Sequence, residues 1–272
     1  TCALPISYGK KYNIQSVALG MSGGVDSALT AALFKSAGWS VTGLTMPIHQ
    51  NPDETARGIE ACRALGIAHK HIDLTHLYDT VLANVKSHDH KITSESEALR
   101  RGNLRVRLRM MTVYNEASAI RGLVGSTDNF SELAAGFWTL HGDVGDLAPI
   151  QSLNKSWEVP KLAELYGVPV ETVEAKPTDG LGISDGDEDQ FGFSYLELDL
   201  VLLALCHSDR KFHNVREILD FLNPDAANQT KVNTILKRIS NSVFKRNNPC
   251  NLTHPQFIDR FTGLNLIDKI LK

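Results

Sequence analysis

The chain has 272 residues, of which 42% are hydrophobic and 22% charged, with a formal net charge of -3. That length supports a sizeable buried core, and the near-balanced charge offers no general nucleic-acid or membrane surface. No apolar stretch reaches the length of a membrane span and no basic-plus-apolar leader opens the sequence; the four scattered cysteines read as free thiols of a reducing compartment, so the expected compartment is the cytoplasm.

In chain order, residues 16–21 (SVALGM) read as a buried strand. Residues 27–37 read as a helix closed by Gly38. A second strand at 41–46 stops at Pro47, and a helix at 54–65 is closed by Gly66. A third strand at 67–72 and a helix at 74–86 follow. A longer helix spans 104–120, and a fourth strand 123–126. Helices that end on Gly and lead into short apolar strands are the sequence form of βα units. The expected fold class is therefore α/β, a doubly wound parallel sheet with helices on both faces. Residues 130–149 are rich in Gly and aromatics and show no clear period. Residues 157–166 read as a helix, and 176–192, with Pro177 and many acids, as a surface loop. Helices at 194–205, 215–222 and 226–240 make the C-terminal part helical. Neither a repeat nor a linker interrupts this order, so 1–272 is expected to be a single domain.

The chemistry concentrates first at Gly20, Met21, Ser22, Gly23, Gly24, Val25, Asp26 and Ser27, between the first strand and the first helix. Adjacent glycines let a backbone approach an anion closely. The free N–H groups and dipole of a helix start favour phosphate. No Lys follows the glycines, which excludes a Walker A loop, and GxGxxG is absent. A carboxylate among phosphate donors would repel the ligand unless it held a divalent cation, so Asp26 implies Mg²⁺ bridging to phosphate. The bland alternative is a Gly-rich turn in which Asp26 only caps the helix.

SGGxDS after a first strand resembles the pyrophosphate loop of the N-type ATP pyrophosphatases, which implies an adenine-nucleotide alpha-hydrolase-like arrangement. Downstream, GNLRVRLRMM at 102–111, GSTDNFSE at 125–132, TLHGD at 139–143 and DLAPI at 146–150 are similar to motifs of one branch, the NAD synthetases. So are Lys176-Pro177-Thr178, Asp187-Glu188-Asp189, and Lys245-Arg246 with Pro249. The resemblance implies ATP-dependent amidation of deamido-NAD to NAD by ammonia, through an acyl-adenylate, with release of pyrophosphate and AMP. It places ATP on the 20–27 loop together with Thr127, Lys155 and Thr178. Asp26 and Glu132 would hold Mg²⁺, Asp26 and Lys155 would act at the reacting centre, and Arg107, Asp146 and Lys245 would contact deamido-NAD. The family likeness also implies a homodimer. The acidic segment 179–189 reads as a lid over the site.

Two positions depart from the ammonia-dependent branch: Leu140 stands in place of a lysine, and Phe244 in place of a histidine. Both resemble the glutamine-dependent branch, whose separate glutaminase domain has no counterpart before Ile14. Free ammonia is the expected nitrogen donor. A partner glutaminase subunit, or a related amidase acting on another carboxylate, stands as the alternative. Elsewhere, Cys2, Cys62, Cys206 and Cys250 are scattered and read as free thiols. The pairs His69/His71 and His88/His90 lack a convincing third metal ligand.

Overall fold

The computed structural model describes residues 1–85, 94–176, 186–225 and 228–246. At its centre lies a parallel sheet of β1 (Ser16–Gly20), β2 (Ser40–Thr45), β3 (Ala68–His71) and β4 (Leu123–Val124), in the order β3-β2-β1-β4. Helix α1 (Ala3–Tyr12) precedes β1, α2 (Val25–Ser36) joins β1 to β2, and α3 (Pro52–Leu65) joins β2 to β3. Helices α4 (Thr75–Asn84) and α5 (Ser94–Ala119) lie between β3 and β4. Beyond β4 come the short helices α6 (Phe130–Ala135), α7 (Glu158–Leu165), α8 (Val170–Val173) and α9 (Asp187–Phe191). They are followed by α10 (Tyr195–Cys206), α11 (Val215–Leu222), α12 (Gln229–Asn241) and α13 (Val243–Arg246). No helix among the described residues is long and apolar enough to cross a membrane.

All four expected strands are present, and every pairing is parallel. The reason lies in their side-chain alternation. On β1, Val17 and Leu19 pack with Leu29, Leu33 and Phe34 of α2 on one face. Ala18 packs with Leu44, Val124, Leu108 and Val113 on the other. A strand buried on both faces needs helices on both, which parallel crossovers supply. A third cluster, including Ala135, Phe191, Phe193, Leu198 and Ile235, gathers α6, α9, α10 and α12. The strand order departs from β1 in two directions. The crevice beyond its C-terminal end is where such sheets bind ligands, and the 20–27 loop begins there.

The differences from the sequence expectation have local causes. Helix α1 was not expected, because ALPISYGKKY carries Pro and Gly and only a weak apolar stripe. Tertiary contact holds it: the Trp39 indole N–H donates to the Pro5 carbonyl at 3.2 Å. Helix α5 begins at Ser94 rather than 104. Its polar first turns are laced by Glu97, which pairs with Arg100 and Arg101 at 2.8 Å each. Those bonds pull the Glu97 carboxyl down to about 2. Strand β4 has only two residues, after which Gly125 makes a single bridge to Leu147. Helix α6 arises inside the stretch without clear period. It has six residues and is held by a capping box between Asn129 and Glu132.

Candidate active site

Strand β1 ends at Gly20 and α2 starts at Val25, so the intervening loop must turn within four residues. Gly24 is the extended N-cap, with φ -94° and ψ 162°. Gly23 has φ +91°, and a Cβ there would drive into the Glu54 carbonyl. A Cβ on Gly58 of α3 would stand 2.6 Å from the Met21 carbonyl oxygen. Both positions exclude side chains because the loop lies directly on the start of α3. The hydroxyls of Ser22 and Ser27 are 3.2 Å apart, and the Gly24 N–H donates to Ser22 Oγ at 3.2 Å.

Asp26 lies in the first turn of α2, facing this loop. Its Oδ1 accepts from Asn129 Nδ2 at 2.9 Å, and its Oδ2 accepts from the Lys155 ammonium. The same ammonium is 3.9 Å from Glu132 Oε1. Glu132 Oε2 accepts the Asn129 backbone N–H at 3.2 Å, completing the α6 cap. Thus two helix starts and one loop lysine meet at one point.

The lysine is positioned by a buried acid that the sequence reading did not single out. Asp199 of α10 is 2% exposed. It accepts from Ser131 Oγ through one oxygen, and from Ser156 N at 2.9 Å and Ser156 Oγ at 2.6 Å through the other. Ser131 Oγ in turn accepts the Lys155 backbone N–H at 2.9 Å.

Negative charge is crowded here. Burial, reinforced by the Asp26 charge and opposed by Lys155, raises the Glu132 carboxyl well above its ordinary value. Burial pushes Asp128 up to about 6 despite the hydrogen bond from Ser126. Burial, with the charge of Asp128, pushes Asp143 up to about 8. Among the described residues, no group of three His, Cys, Asp or Glu side chains is arranged to hold a metal alone. Mg²⁺ does not require one, since it takes one or two carboxylates plus phosphate oxygens and water. Asp26 and Glu132 fit that demand. The Lys155 ammonium already occupies the space between them, so the donor set is one that accepts a cation.

These groups line one end of a cavity of about 290 Å³. The loop residues Gly20, Met21, Ser22, Gly23, Gly24, Val25, Asp26 and Ser27 all face it, with Thr127, Glu132 and Lys155. The wall formed by Leu44, Met46, Met110, Val113 and Val124 is apolar. A polar end rich in donors and a slot of apolar side chains suit a molecule with phosphates at one end and a flat ring at the other. Thr178 lies outside the described residues, as do Pro177, Pro249, Cys250, His88, His90 and most of the expected lid.

Arg107, Asp146 and Lys245 do not line this cavity. Arg107 is exposed, and its Nε donates to the Leu140 carbonyl at 3.2 Å. Asp146 accepts from the Val124 N–H and the Tyr114 hydroxyl, each at 2.9 Å. The Lys245 ammonium donates to the carbonyls of Gly136 and Trp138. Phe244 is 62% exposed.

Other lining residues carried weaker signals. Asp143 stands in the quoted Gly142-Asp143 pair without an assigned role. Arg109 stands in the 102–111 stretch, which by itself assigns it no role. It turns inward, and burial, then Arg105, lowers its guanidinium to about 10. His69 and His71 both contact the Thr45 hydroxyl at 2.9 Å. Cys2, Cys62 and Cys206 are free thiols, as expected.

Residues 5–249 match the family described as NAD synthase. The NH3-dependent NAD synthetase of Pyrococcus furiosus is 35% identical over 247 residues, covering 90% of this chain and 90% of that protein. Two solved structures superpose with a TM-score of 0.71 at 27% identity: the NH3-dependent NAD synthetase of Campylobacter jejuni, solved with nitrate, and the NMN synthetase of Francisella tularensis. Each covers 93% of this chain, and the chain covers 96% and 95% of theirs. A parallel sheet of the expected class, a phosphate-type loop at its switch point and a family match over nearly the whole length agree: the chain belongs to the NAD synthase family.

Proposed function

We propose that this cavity carries out the ATP-dependent amidation of deamido-NAD with ammonia. The observation that supports it best is the meeting of Asp26, Glu132 and Lys155 beside the 20–27 loop. ATP enters with its base against the apolar wall and its phosphates on the loop. The nicotinate carboxylate attacks the α-phosphorus, the bond to the bridging oxygen breaks, and pyrophosphate leaves. Loop N–H groups, the hydroxyls of Ser22 and Ser27, and the Lys155 ammonium receive its charge. Mg²⁺, held by Asp26 and Glu132, would neutralise further phosphate charge when bound. Ammonia then attacks the acyl carbon of the mixed anhydride. AMP departs, and a proton is lost to give the amide. Side chains do no covalent work here; position and charge set the rate.

Thr127, and Thr178 beyond the described residues, complete the ATP contacts in this reading. Arg107, Asp146 and Lys245 meet deamido-NAD. The family likeness also supports a homodimer, which sedimentation velocity tests. Free ammonia is the donor. One mixture of protein, ATP, MgCl2, ammonium and deamido-NAD, assayed for AMP and NAD, tests the whole reading. Glutamine serving as well as ammonium with pure protein would defeat the choice of donor.

A second reading replaces deamido-NAD by a smaller acid of the same kind. Its support is that Arg107, Asp146 and Lys245 are engaged elsewhere, and that the NMN synthetase structure is as similar as the NH3-dependent NAD synthetase structure. Competing deamido-NAD against its mononucleotide half in one reaction decides between them.

A further inference from the structure

Helix α3 and the β2–α3 connection press on the phosphate loop, and two of their contacts act on its carbonyl groups. Arg57 Nε donates to the Gly23 carbonyl at 3.3 Å. Gln50 Nε2 donates to the Ser22 carbonyl at 3.4 Å. Arg109, reaching in from α5, donates through Nη2 to Gln50 Oε1 at 3.1 Å and through Nε to the Met46 carbonyl at 3.0 Å.

The orientation of Gln50 follows from chemistry. A guanidinium has donors only, so it must face the amide oxygen of Gln50. The amide NH2 is then left to face the Ser22 carbonyl. Arg109 therefore chooses which end of Gln50 meets the loop, although it touches no loop atom itself in these bonds.

In a planar trans peptide, C=O and N–H point in opposite directions. Fixing one fixes the other. The Gly23–Gly24 peptide is held at both ends, its C=O on Arg57 and its N–H on Ser22 Oγ. Consecutive glycines are the residues for which a peptide flip costs least. A flip would turn carbonyl oxygens toward an incoming phosphate and replace attraction by repulsion. The loop thus needs outside contacts to keep its donors aimed.

We propose that Arg57, Gln50 and Arg109 are positioning residues of the reaction: they hold the Ser22 and Gly23 carbonyls against α3 and so aim the Gly23 and Gly24 N–H groups at the departing pyrophosphate. This rests on the reading of the loop as the ATP phosphate site. In the bound state a phosphate oxygen takes the place of Ser22 Oγ as acceptor for the Gly24 N–H.

The test is calorimetric binding of pyrophosphate, and separately of AMP, to the ligand-free protein and to Arg57→Ala, Gln50→Ala, Arg109→Ala and the Gln50→Ala/Arg109→Ala double variant. Each single change is expected to weaken pyrophosphate about tenfold and AMP by less than about twofold. Removing Arg109 adds nothing once Gln50 is gone, because the arginine acts through it. Unchanged pyrophosphate affinity, or equal loss for AMP and pyrophosphate, overturns the proposal. So does an Arg109 effect of undiminished size without Gln50. Should Arg109→Ala fail to fold, Arg57→Ala and Gln50→Ala carry the test alone. A wild-type protein that binds no pyrophosphate would instead overturn the ATP-site reading itself.

Discussion

Lys155 meets Asp26 side chain to side chain although 129 positions separate them in sequence. In the ligand-free protein the lysine supplies the positive charge that Asp26 and Glu132 require. Without it, two half-buried carboxylates are left uncompensated and take up a proton or a cation. Lys155→Met is expected to lower unfolding stability by about 1–3 kcal/mol, less than a buried pair broken in a dry core because protonation relieves part of the charge. Urea melts with and without magnesium chloride check this. Magnesium should restore more stability to the variant than it adds to the wild type, and an equal effect on both would contradict the assignment.

Asp26→Asn retains an acceptor for Asn129 Nδ2 but removes the charge. The fold should persist, with a thermal midpoint within a few degrees of wild type. Pyrophosphate release should fall by about two to three orders of magnitude, the scale on which preorganised charge contributes to such steps. Full turnover in this variant would exclude Asp26 from the reacting centre.

Asp199 touches no ligand in this reading, yet it holds Ser131 and Ser156 on either side of Lys155. Asp199→Ala leaves buried hydroxyl and amide donors without their acceptor, which costs about 2–4 kcal/mol. Turnover should drop while the KM for ammonium stays near wild type. Lys155 would still be present, so unchanged turnover in a folded Asp199→Ala protein would show that its anchoring is unimportant.

The Asp143 carboxyl, pushed up to about 8 chiefly by burial, makes stability depend on pH. A carboxyl with a raised folded value keeps its proton after the unfolded chain has lost it near about 4. Its contribution is therefore full below about 4 and is lost as pH rises through about 8. Asp128 and Glu132 act with the same sign. In ligand-free protein, Asp143→Asn should flatten the decline in melting temperature across this window. A decline as steep as that of wild type would show that Asp143 is not the group responsible.

The elements best read from sequence were those whose signals are local. Gly20 to Ser27 declared a strand, a turn and a helix start within one stretch, and Glu132 was named by the family resemblance of residues 125–132. Their placement in one cavity follows from the strand order around β1. Arg109 and Asp199 were not legible in the same way. Arg109 earns its surroundings from Met46, 63 positions away, and Asp199 from Ser131, 68 positions away. No window of sequence contains both partners. Helix α6 was missed for the opposite reason: at six residues it is too short to show a period. Asn51 followed by Pro52 was a readable helix start, and the expected start at 54 overlooked it.

Glu132 divides its carboxylate. One oxygen holds the first turn of α6 through the Asn129 N–H, and the other looks toward Lys155. Any ligand that turned both oxygens toward itself would release the Asn129 N–H and loosen the start of that helix. What the site holds is thus transcribed into the hydrogen-exchange rate of a single backbone amide, a record that can be followed without seeing the ligand.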